Sequence, residues 1–383
     1  MSHNNTILTQ ILKLVPRHEF QKLASEHHSG RKLRKVSRWS QFCALLIGQL
    51  TGRQSLRDIE SNMLAQKNRL YHSGTKPIAR SSLARLNEKQ PHELYEVLFA
   101  KLYQRCKVLT PSHKFAFKNP LYSLDASLID LSLKIFPWSH YALGKGAVKL
   151  QLGLDHRGHI PAFATITESK VSDTTYAKTL KLPKGSIVVF DRGYSDYEWY
   201  KSLSLQGVFF VTRLRSNAKY KVISRHIVDK STGVTSDQVI RFTSDRSKKK
   251  SLPDIRRIGF YDKETKKQYY FLTNHHDLAP ETIAEIYKQR WQVELFFKWI
   301  KQNLKIKAFV GTTKNAVMTQ IWIALCVCLI LAYLKFSSQL DMSLQKMLRL
   351  LQLNLFMRRD LCGLLRGDPP DDERSTLQGS LAL

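Results

Sequence analysis

The segment PETIAEIYKQRWQVELFFKWIKQNL, residues 280–304, constrains the fold of this chain more than any other. It begins with a proline, which suits the first turn of a helix, and no Gly or further Pro follows within it. At about 100° per residue, four polar side chains fall on one narrow arc: Tyr287, Arg290, Glu294 and Lys301. Apolar residues fill a broad neighbouring arc. The pattern predicts one continuous helix of about six turns that buries one face and presents a carboxylate among cations.

Two aspartates upstream occupy positions where a carboxylate needs a partner. Asp125 lies inside the apolar segment 121–133, and Asp191 ends the apolar segment 186–190. Each can simply cap a turn, but burying an unpaired ionised carboxylate is costly. Together with Glu294 they can converge at one edge of a sheet. Three carboxylates at one point repel one another unless cations lie between them, and their hard oxygens suit Mg²⁺.

Other acids compete for the same roles. Asp130 lies further along the first strand and is predicted to be structural. Asp173 and Asp196 each precede a predicted helix and are predicted N-caps. Asp155 stands beside a turn and is the alternative if Asp125 fails.

The charge of the chain points to a polyanionic partner. Formal net charge is +30, from 61 Lys and Arg against 31 Asp and Glu, and the excess is spread along the sequence. Nucleic acid is the leading candidate, ahead of an anionic membrane surface or a ribosomal assembly. Five cysteines in apolar contexts predict buried thiols in a reducing, cytoplasmic compartment rather than disulfides or zinc ligands. The apolar run 321–334 is short for a membrane span and predicts a core helix.

Periodicity along the chain changes twice. Residues 1–115 are helical and basic; two short helices there, with Arg80 and Arg85 exposed, could form a helix-turn-helix-like DNA contact, or plain scaffold. Three strands, a helix, a strand, a helix and a strand follow, which is a ribonuclease H-like order, and residues 215–269 are polar and strand-rich with Lys248–Lys250 at their centre. The predicted class is α+β or α/β, multi-domain: a helical DNA-binding domain (1–115), a ribonuclease H-like core (116–214 and 270–335), a β-rich insertion (215–269), C-terminal helices (336–366) and a mobile tail (367–383).

The spacing Tyr-x2-Arg-x3-Glu-x6-Lys, formed by Tyr287, Arg290, Glu294 and Lys301, is the specific motif of this chain. It resembles the YREK signature of DDE transposases of the insertion sequence 4 family. Asp125, and Asp191 followed by Arg-Gly-Tyr, match the acidic positions of that family.

The resemblance implies phosphoryl transfer on DNA with two Mg²⁺ or Mn²⁺ ions, Asp125 bridging both and Asp191 and Glu294 completing one site each. The enzyme would cut at the ends of its element and join 3′-hydroxyls to target DNA. Because no Walker loop is present, no nucleotide is expected.

The resemblance also implies DNA contacts and partners. Tyr287, Arg290 and Lys301 would bind phosphates beside the cut and hold an unstacked base. Further DNA contacts are assigned to Lys298, Arg192 and Trp291, the last with packing as the favoured alternative. The expected partners are double-stranded DNA, both the terminal inverted repeats of the element and the target, and a second copy of the chain in a synaptic homodimer. No membrane partner is expected. The expected location is the bacterial cytoplasm, on the nucleoid. The alternatives are a ribonuclease H-like nuclease without strand transfer, a catalytically inactive DNA-binding relative and, as the weakest, a membrane-associated basic protein.

Overall fold

The computed structural model describes residues 5–142, 145–244 and 252–369. The chain divides into two compact units. The helical unit comprises Met1–Pro111, Asp130–Gly146 and Lys298–Leu383, and the sheet unit comprises Ser112–Ile129 and Ala147–Phe297. The predicted Lys248–Lys250 run and the predicted tail from residue 370 onward lie outside the described residues. The predicted domain boundaries stay predictions.

Short helices build the helical unit. They are α1 (Ile7–Lys13), α2 (Arg17–Glu26), α3 (Arg38–Leu50), α4 (Leu56–Ala65), α5 (Arg80–Lys89), α6 (Glu93–Lys107), α11 (Lys314–Ser337), α12 (Leu344–Asn354) and α13 (Leu361–Arg366). Side-chain caps fix several starts, since Thr6, Ser37 and Ser55 each accept a hydrogen bond from a backbone N–H of the first turn. Ser and Thr are among the residues that favour this position, and α12 and α13 lie in the segment predicted as C-terminal helices.

Helix α11 forms the centre of the helical unit. It packs against α3, α5, α6 and α12. By length and hydropathy alone this helix could cross a membrane, but 94% of its most apolar window is buried in the protein. Its apolar surface therefore has protein partners, as the core-helix prediction required. Four of the five cysteines are buried; Cys362 is half-buried, so the prediction of a buried thiol fails there.

A mixed sheet builds the sheet unit. Its strands are β1 (Leu121–Leu131), β3 (Lys145–Asp155), β4 (Ile160–Glu168), β5 (Ile187–Val189), β6 (Phe209–Arg213), β7 (Tyr220–His226), β8 (Val234–Phe242), β9 (Ile255–Asp262) and β10 (Lys267–Thr273). The order is β4-β3-β1-β5-β6-β10-β9-β8-β7, with β1, β5 and β6 parallel. The first five strands of this order form the predicted ribonuclease H-like core. Strand β2 (His140–Ala142) pairs with the start of β3 inside the helical unit.

The strand-rich segment after β6 continues the same sheet. Strands β7 to β10 pair antiparallel in sequence, and β10 closes onto β6 with Phe271 opposite Arg213 and Thr273 opposite Val211. Because the ladder is continuous, the insertion and the core share one layer. The interruption by a β-rich insertion was predicted, whereas its pairing with β6 was not.

Alternation along β5 assigns the two faces of the sheet. Val188 packs on one side with residues of α8 (Tyr197–Leu205), and Ile187 and Val189 pack on the other with α9 (Pro280–Gln289). Helix α7 (Asp173–Ala177) lies on the α8 side, where Ala177 joins the cluster. Successive side chains of a strand point to opposite faces, so residue 191 belongs to the α9 face.

Candidate active site

Register brings Asp125 and Asp191 side by side. In the parallel pair β1–β5, Ser123 lies opposite Val189. Asp125 and Asp191 each follow two residues later, and parallel neighbours are about 4.8 Å apart. Both therefore emerge on the α9 face, Asp191 just past the carboxyl end of β5 and Asp125 beside it in the middle of the longer β1. The carboxyl ends of parallel strands are where open α/β sheets place their ligand sites.

Asp191 is held in a tight turn. Its Oδ1 accepts a hydrogen bond from Gly193 N at 2.8 Å and so caps the 3₁₀ turn Arg192–Tyr194. A Cβ on Gly193 would come within 2.9 Å of that same oxygen. Arg215 donates to the carbonyls of Arg192 and Ser195, at 3.1 and 3.3 Å, which fixes the turn from outside. The position of this carboxylate thus depends on a glycine and an arginine.

The predicted single helix 280–304 is wrong at one residue. Helix α9 ends at Gln289 and α10 (Trp291–Asn303) begins after Arg290. Here Arg290 N bonds to Tyr287 O and Val293 N to Arg290 O, both three residues back. Such bonds tighten the helix to a 3₁₀-like turn. The break lies at the arginine of the signature, between its tyrosine and its glutamate.

The Arg290 guanidinium links two of the three carboxylates. Its Nη2 donates to Glu294 Oε1 at 2.6 Å, and its Nη1 lies 3.8 Å from Asp125 Oδ2. It also lies over the Tyr287 ring, 5.8 Å from the centroid. Asp125, Arg290 and Glu294 therefore meet within the span of one guanidinium, all inside the sheet unit.

Asp125 is the most perturbed of these acids. The pKa of its carboxyl is raised to about 6: burial is the largest cause and the Asp191 and Glu294 charges add to it, while the Ala126 N–H and Arg290 act in the opposite direction. The Ala126 N–H at 2.9 Å is its single hydrogen-bond donor among the described residues. A carboxyl with so few partners beside two other acids is typical of a functional site.

The Tyr194 ring follows Asp191 in the chain and packs in the cluster on the α8 side of the sheet. Its oxygen is buried and has no hydrogen-bond partner within the described parts of the chain. Burial, then the charges of Asp173, Asp125 and Asp191, raise its pKa far above the usual range, so it stays a neutral donor. This residue lies inside the quoted Asp-Arg-Gly-Tyr motif, but sequence reasoning gave it no role.

The donor set suits a hard divalent cation. Asp191 Oδ2 and Glu294 Oε2 carry no hydrogen bond in the described part of the protein, and Asp125 Oδ2 has only the distant guanidinium. As the side chains stand, no group of three His, Cys, Asp or Glu among the described residues closes on a metal position. Arg290 holds the positive charge between Asp125 and Glu294 instead. The carboxylates thus offer the oxygen ligands that Mg²⁺ prefers. The Arg290 guanidinium lies where their negative charge would also attract a metal cation.

The competing acids have structural partners. Asp155 is fully buried and accepts from Arg157 N, Nε and Nη2 at 2.9, 3.2 and 2.8 Å. Asp196 caps α8 through Trp199 N, as predicted. The prediction that Asp173 is an N-cap is wrong, because Ser172 caps α7 and Asp173 pairs with Lys149 at 3.0 Å.

The remaining predicted contact residues are divided between the units. Arg192 and Trp291 are exposed in the sheet unit, Trp291 at 56%, so the packing role favoured for Trp291 is wrong. Lys298 and Lys301 belong to the helical unit. There Lys298 is exposed, whereas Lys301 is half-buried near Asp130, and burial lowers its pKa while Asp130 raises it.

A cavity of about 800 Å³ opens beside Tyr287 in the sheet unit. Aromatic rings form much of its wall: Phe115, Phe260, Tyr261, Tyr269, Phe271, Tyr287 and Trp291. Arg213 lies over the Tyr269 ring at 4.7 Å and also lines the cavity. The lining combines flat apolar surfaces with the cations Arg213 and Arg290, and Arg290 is its link to Asp125 and Glu294, which lie outside the lining.

The transposase DDE domain profile matches residues 117–330, more than half of the sequence. The chain belongs to the DDE transposase family. This match covers all three clustered carboxylates, and it confirms the family predicted from the YREK motif. A second profile, described as a domain of unknown function, matches residues 3–76.

Named relatives agree with this assignment. A Sinorhizobium fredii protein that carries the name of a transposase is 31% identical over 64% of this chain and 69% of its own length. Two insertion-sequence transposases, so named, are similar: one of Geobacillus stearothermophilus (26% identity; 66% of this chain, 67% of that protein) and one of Synechocystis (27%; 61% and 65%). These names are consistent with the insertion sequence 4 family.

Among solved structures, a piggyBac transposase synaptic complex with hairpin DNA superposes with a TM-score of 0.49 at 11% identity, over 97% of this chain and 82% of that one. Because a score of this size does not establish a common fold, the fold assignment rests on the strand order given above.

Sequence reasoning missed two residues that position Asp191, Gly193 and Arg215, and one cation of the aromatic cavity, Arg213. One signal was available: Arg213 ends the strand next to β5, Arg215 follows two residues later, and the carboxyl ends of parallel strands share one edge. The break at Arg290 had no such signal, because Gln-Arg-Trp is compatible with a continuous helix.

Proposed function

We propose that this DDE transposase cuts DNA at the ends of an insertion sequence and joins the freed 3′-hydroxyls to target DNA, with Asp125, Asp191 and Glu294 as its catalytic acids. The observation that carries the proposal is that Asp125 lies beside Asp191 in the sheet and is linked to Glu294 through Arg290. Asp155 and Asp237 each accept two or more hydrogen bonds from one arginine, whereas among the described residues Asp125 accepts only from the Ala126 N–H, and Asp191 Oδ2 and Glu294 Oε2 accept no hydrogen bond.

Asp125, Asp191 and Glu294 would hold two Mg²⁺ or Mn²⁺ ions. Divalent cations bound there supply Lewis-acid chemistry, by activating water or a 3′-hydroxyl and neutralising charge on the leaving oxygen. Within the chain, Gly193 and Arg215 keep the Asp191 carboxylate aimed at the site. The Tyr194 hydroxyl, buried and neutral, can donate to whichever carboxylate or bound water comes within reach.

Arg290 would have two successive roles, one before and one after DNA binds. Without DNA it offsets the charge of Asp125 and Glu294. With DNA and cations present, its planar fork suits a phosphate beside the cut, since guanidinium binds phosphate in a bidentate manner. Arg192, Lys298 and Lys301 are proposed as further phosphate contacts.

Tyr287 and Trp291 would receive an unstacked base. Both line the aromatic cavity, and the exposed Trp291 face is open to stacking. Base-aromatic stacking contributes about 1–3 kcal/mol per base, enough to offset the cost of taking a base out of the helix. We also propose a homodimer on paired DNA ends, in a bacterial cytoplasm.

The decisive assay uses a linear duplex that carries the element's own end. Wild type is expected to release a 3′-hydroxyl with Mg²⁺ and not with EDTA. Glu294→Ala is expected to abolish release while DNA binding survives; Glu26→Ala, an exposed glutamate of α2, serves as the control and keeps activity. Normal cleavage by Glu294→Ala would refute the acidic triad, and binding without cleavage by wild type would favour a catalytically inactive relative. Cleavage without joined products would favour a nuclease.

A further inference from the structure

The segment between α2 and α3 is held at its base by buried polar side chains. Arg38, 3% exposed, donates to His27 O at 3.0 Å and to Pro91 O at 2.7 Å. Gln90, 4% exposed, donates to Ser29 O at 2.7 Å. Buried polar groups are costly unless hydrogen-bonded, so the fold commits two of them to fixing this loop. Residues 27–35, whose sequence HHSGRKLRK is rich in basic residues, therefore form an anchored loop.

The anchored loop presents almost nothing but cations. Its exposed residues beyond Gly30 are Arg31, Lys32, Arg34 and Lys35. None of the four forms a salt bridge with a described residue. Gly30 adopts a left-handed φ of +75°, a conformation that glycine favours. Four unpaired charges in five residues are thus fixed on one surface of the helical unit.

The chemistry of the loop selects a phosphate backbone. Residues 30–35 contain no aromatic ring that could stack on a base and no Asn or Gln that could pair with adenine, whereas four closely spaced Lys and Arg side chains match a row of phosphates. Lys and Arg contacts to phosphates give affinity without sequence information. The anchor also places the loop at the end of α5, because Gln90 is the C-cap of that helix. Arg80 and Arg85 of α5 are exposed too.

We propose that the anchored loop is a sequence-independent clamp for the backbone of duplex DNA, and that this is a role of the N-terminal domain of unknown function. The inference rests on the proposed function for its choice of DNA over other polyanions. It assigns affinity and salt dependence to residues 31–35, and leaves recognition of the element end to other surfaces.

The test compares two fourfold Gln variants that remove equal charge. The loop variant changes Arg31, Lys32, Arg34 and Lys35. The control changes four exposed cations outside the loop: Lys13, Lys22, Lys346 and Arg349. Binding to a duplex of about 40 base pairs and unrelated sequence is measured across a salt series. All eight side chains are exposed, so thermal unfolding should match wild type.

The loop variant is expected to bind DNA roughly 10–100-fold more weakly than wild type at low salt. In a plot of log Kd against log salt concentration, its slope should be smaller by about 2–4, since each lost phosphate contact lowers the slope by about 0.9. The control should change Kd less than about threefold. Equal weakening by both variants, or wild-type binding by the loop variant, would overturn the proposal. The proposal would also be overturned if the loop variant bound DNA normally and lost affinity only for an RNA duplex of equal length.

A milder variant tests the anchor. Gln90→Leu keeps the buried volume and removes the bond to Ser29, and we expect a several-fold loss of DNA affinity; unchanged affinity would refute the anchoring role. Cleavage assays separate this proposal from the proposed function. If wild type cuts DNA but the loop variant binds DNA normally, only the clamp proposal is refuted. If binding depends on the loop but wild type does not cut DNA, only the proposed transposase chemistry is refuted.

Discussion

Two kinds of acid occupy the sheet unit, and they differ in how many donors they have. Asp237 is buried and forms a two-bond pair with Arg256, at 2.9 and 2.7 Å, while Arg256 also donates to the loop before α9. Asp125 has one backbone donor and a guanidinium 3.8 Å away. The first arrangement satisfies a carboxylate, and the second leaves one ready for an incoming cation. Saturation, rather than burial, separates structural acids from candidate catalytic ones.

The sharpest contrast comes from removing one acid of each kind. Asp125→Asn should lower cleavage by roughly 10³-fold or more, with the fold intact. Asp237→Asn should lower the free energy of unfolding by about 3–5 kcal/mol, because Arg256 is left as a buried unpaired charge. Single-turnover cleavage and urea unfolding of both variants measure the two effects. The comparison would fail if Asp125→Asn lost stability and kept cleavage while Asp237→Asn lost cleavage and kept stability.

A smaller effect tests how Asp191 is held. In Gly193→Ala the new methyl group would crowd Asp191 Oδ1, so the carboxylate must rotate away. We expect cleavage to fall about 10–100-fold, as for a misplaced catalytic group, with little change in unfolding temperature. The control is Gly185→Ala, which tests general backbone strain because its φ is +79° and its surroundings are open. That control should lose stability and keep its cleavage rate per folded molecule.

The smallest effect concerns pH and stability. The pKa of Asp125 is about 6 in the folded protein against 3.8 ordinarily. The folded state therefore holds this proton more tightly, and metal-free stability falls as pH rises from about 4 to 6.5. Asp125→Asn lacks the repulsion and should exceed wild type above pH 6 by on the order of 1–2 kcal/mol. Unfolding curves at pH 4.5 and 7.5 without divalent ions measure it. If wild type instead gained stability relative to Asp125→Asn as pH rises, the charge of the Asp125 carboxylate would already be stabilised by its neighbours in the folded protein.

Much of this site could be predicted from sequence because it depends on local patterns. Asp191 ends an apolar strand, and Glu294 lies at fixed spacing from Tyr287. The rest depends on partners distant in sequence. Asp155 is bonded by Arg157, two residues away, but nothing near Asp237 reveals that Arg256 saturates it, and the helix break at Arg290 accompanies contacts to Asp125, far away in the chain. The continuation of the sheet through β10 is likewise a tertiary pairing.

The central claim is that Asp125, Asp191 and Glu294 form one unsaturated cation site, and Mn²⁺ binding tests it most directly. Titration calorimetry with duplex DNA bound would compare wild type with Asp125→Asn, Asp191→Asn and Glu294→Gln. The control is Asp229→Asn, an exposed turn residue whose bond to Ser231 N the amide oxygen preserves. We predict that each of the three variants loses at least tenfold in Mn²⁺ affinity or one bound ion, and that the control matches wild type. Unchanged Mn²⁺ binding in all three would contradict the account.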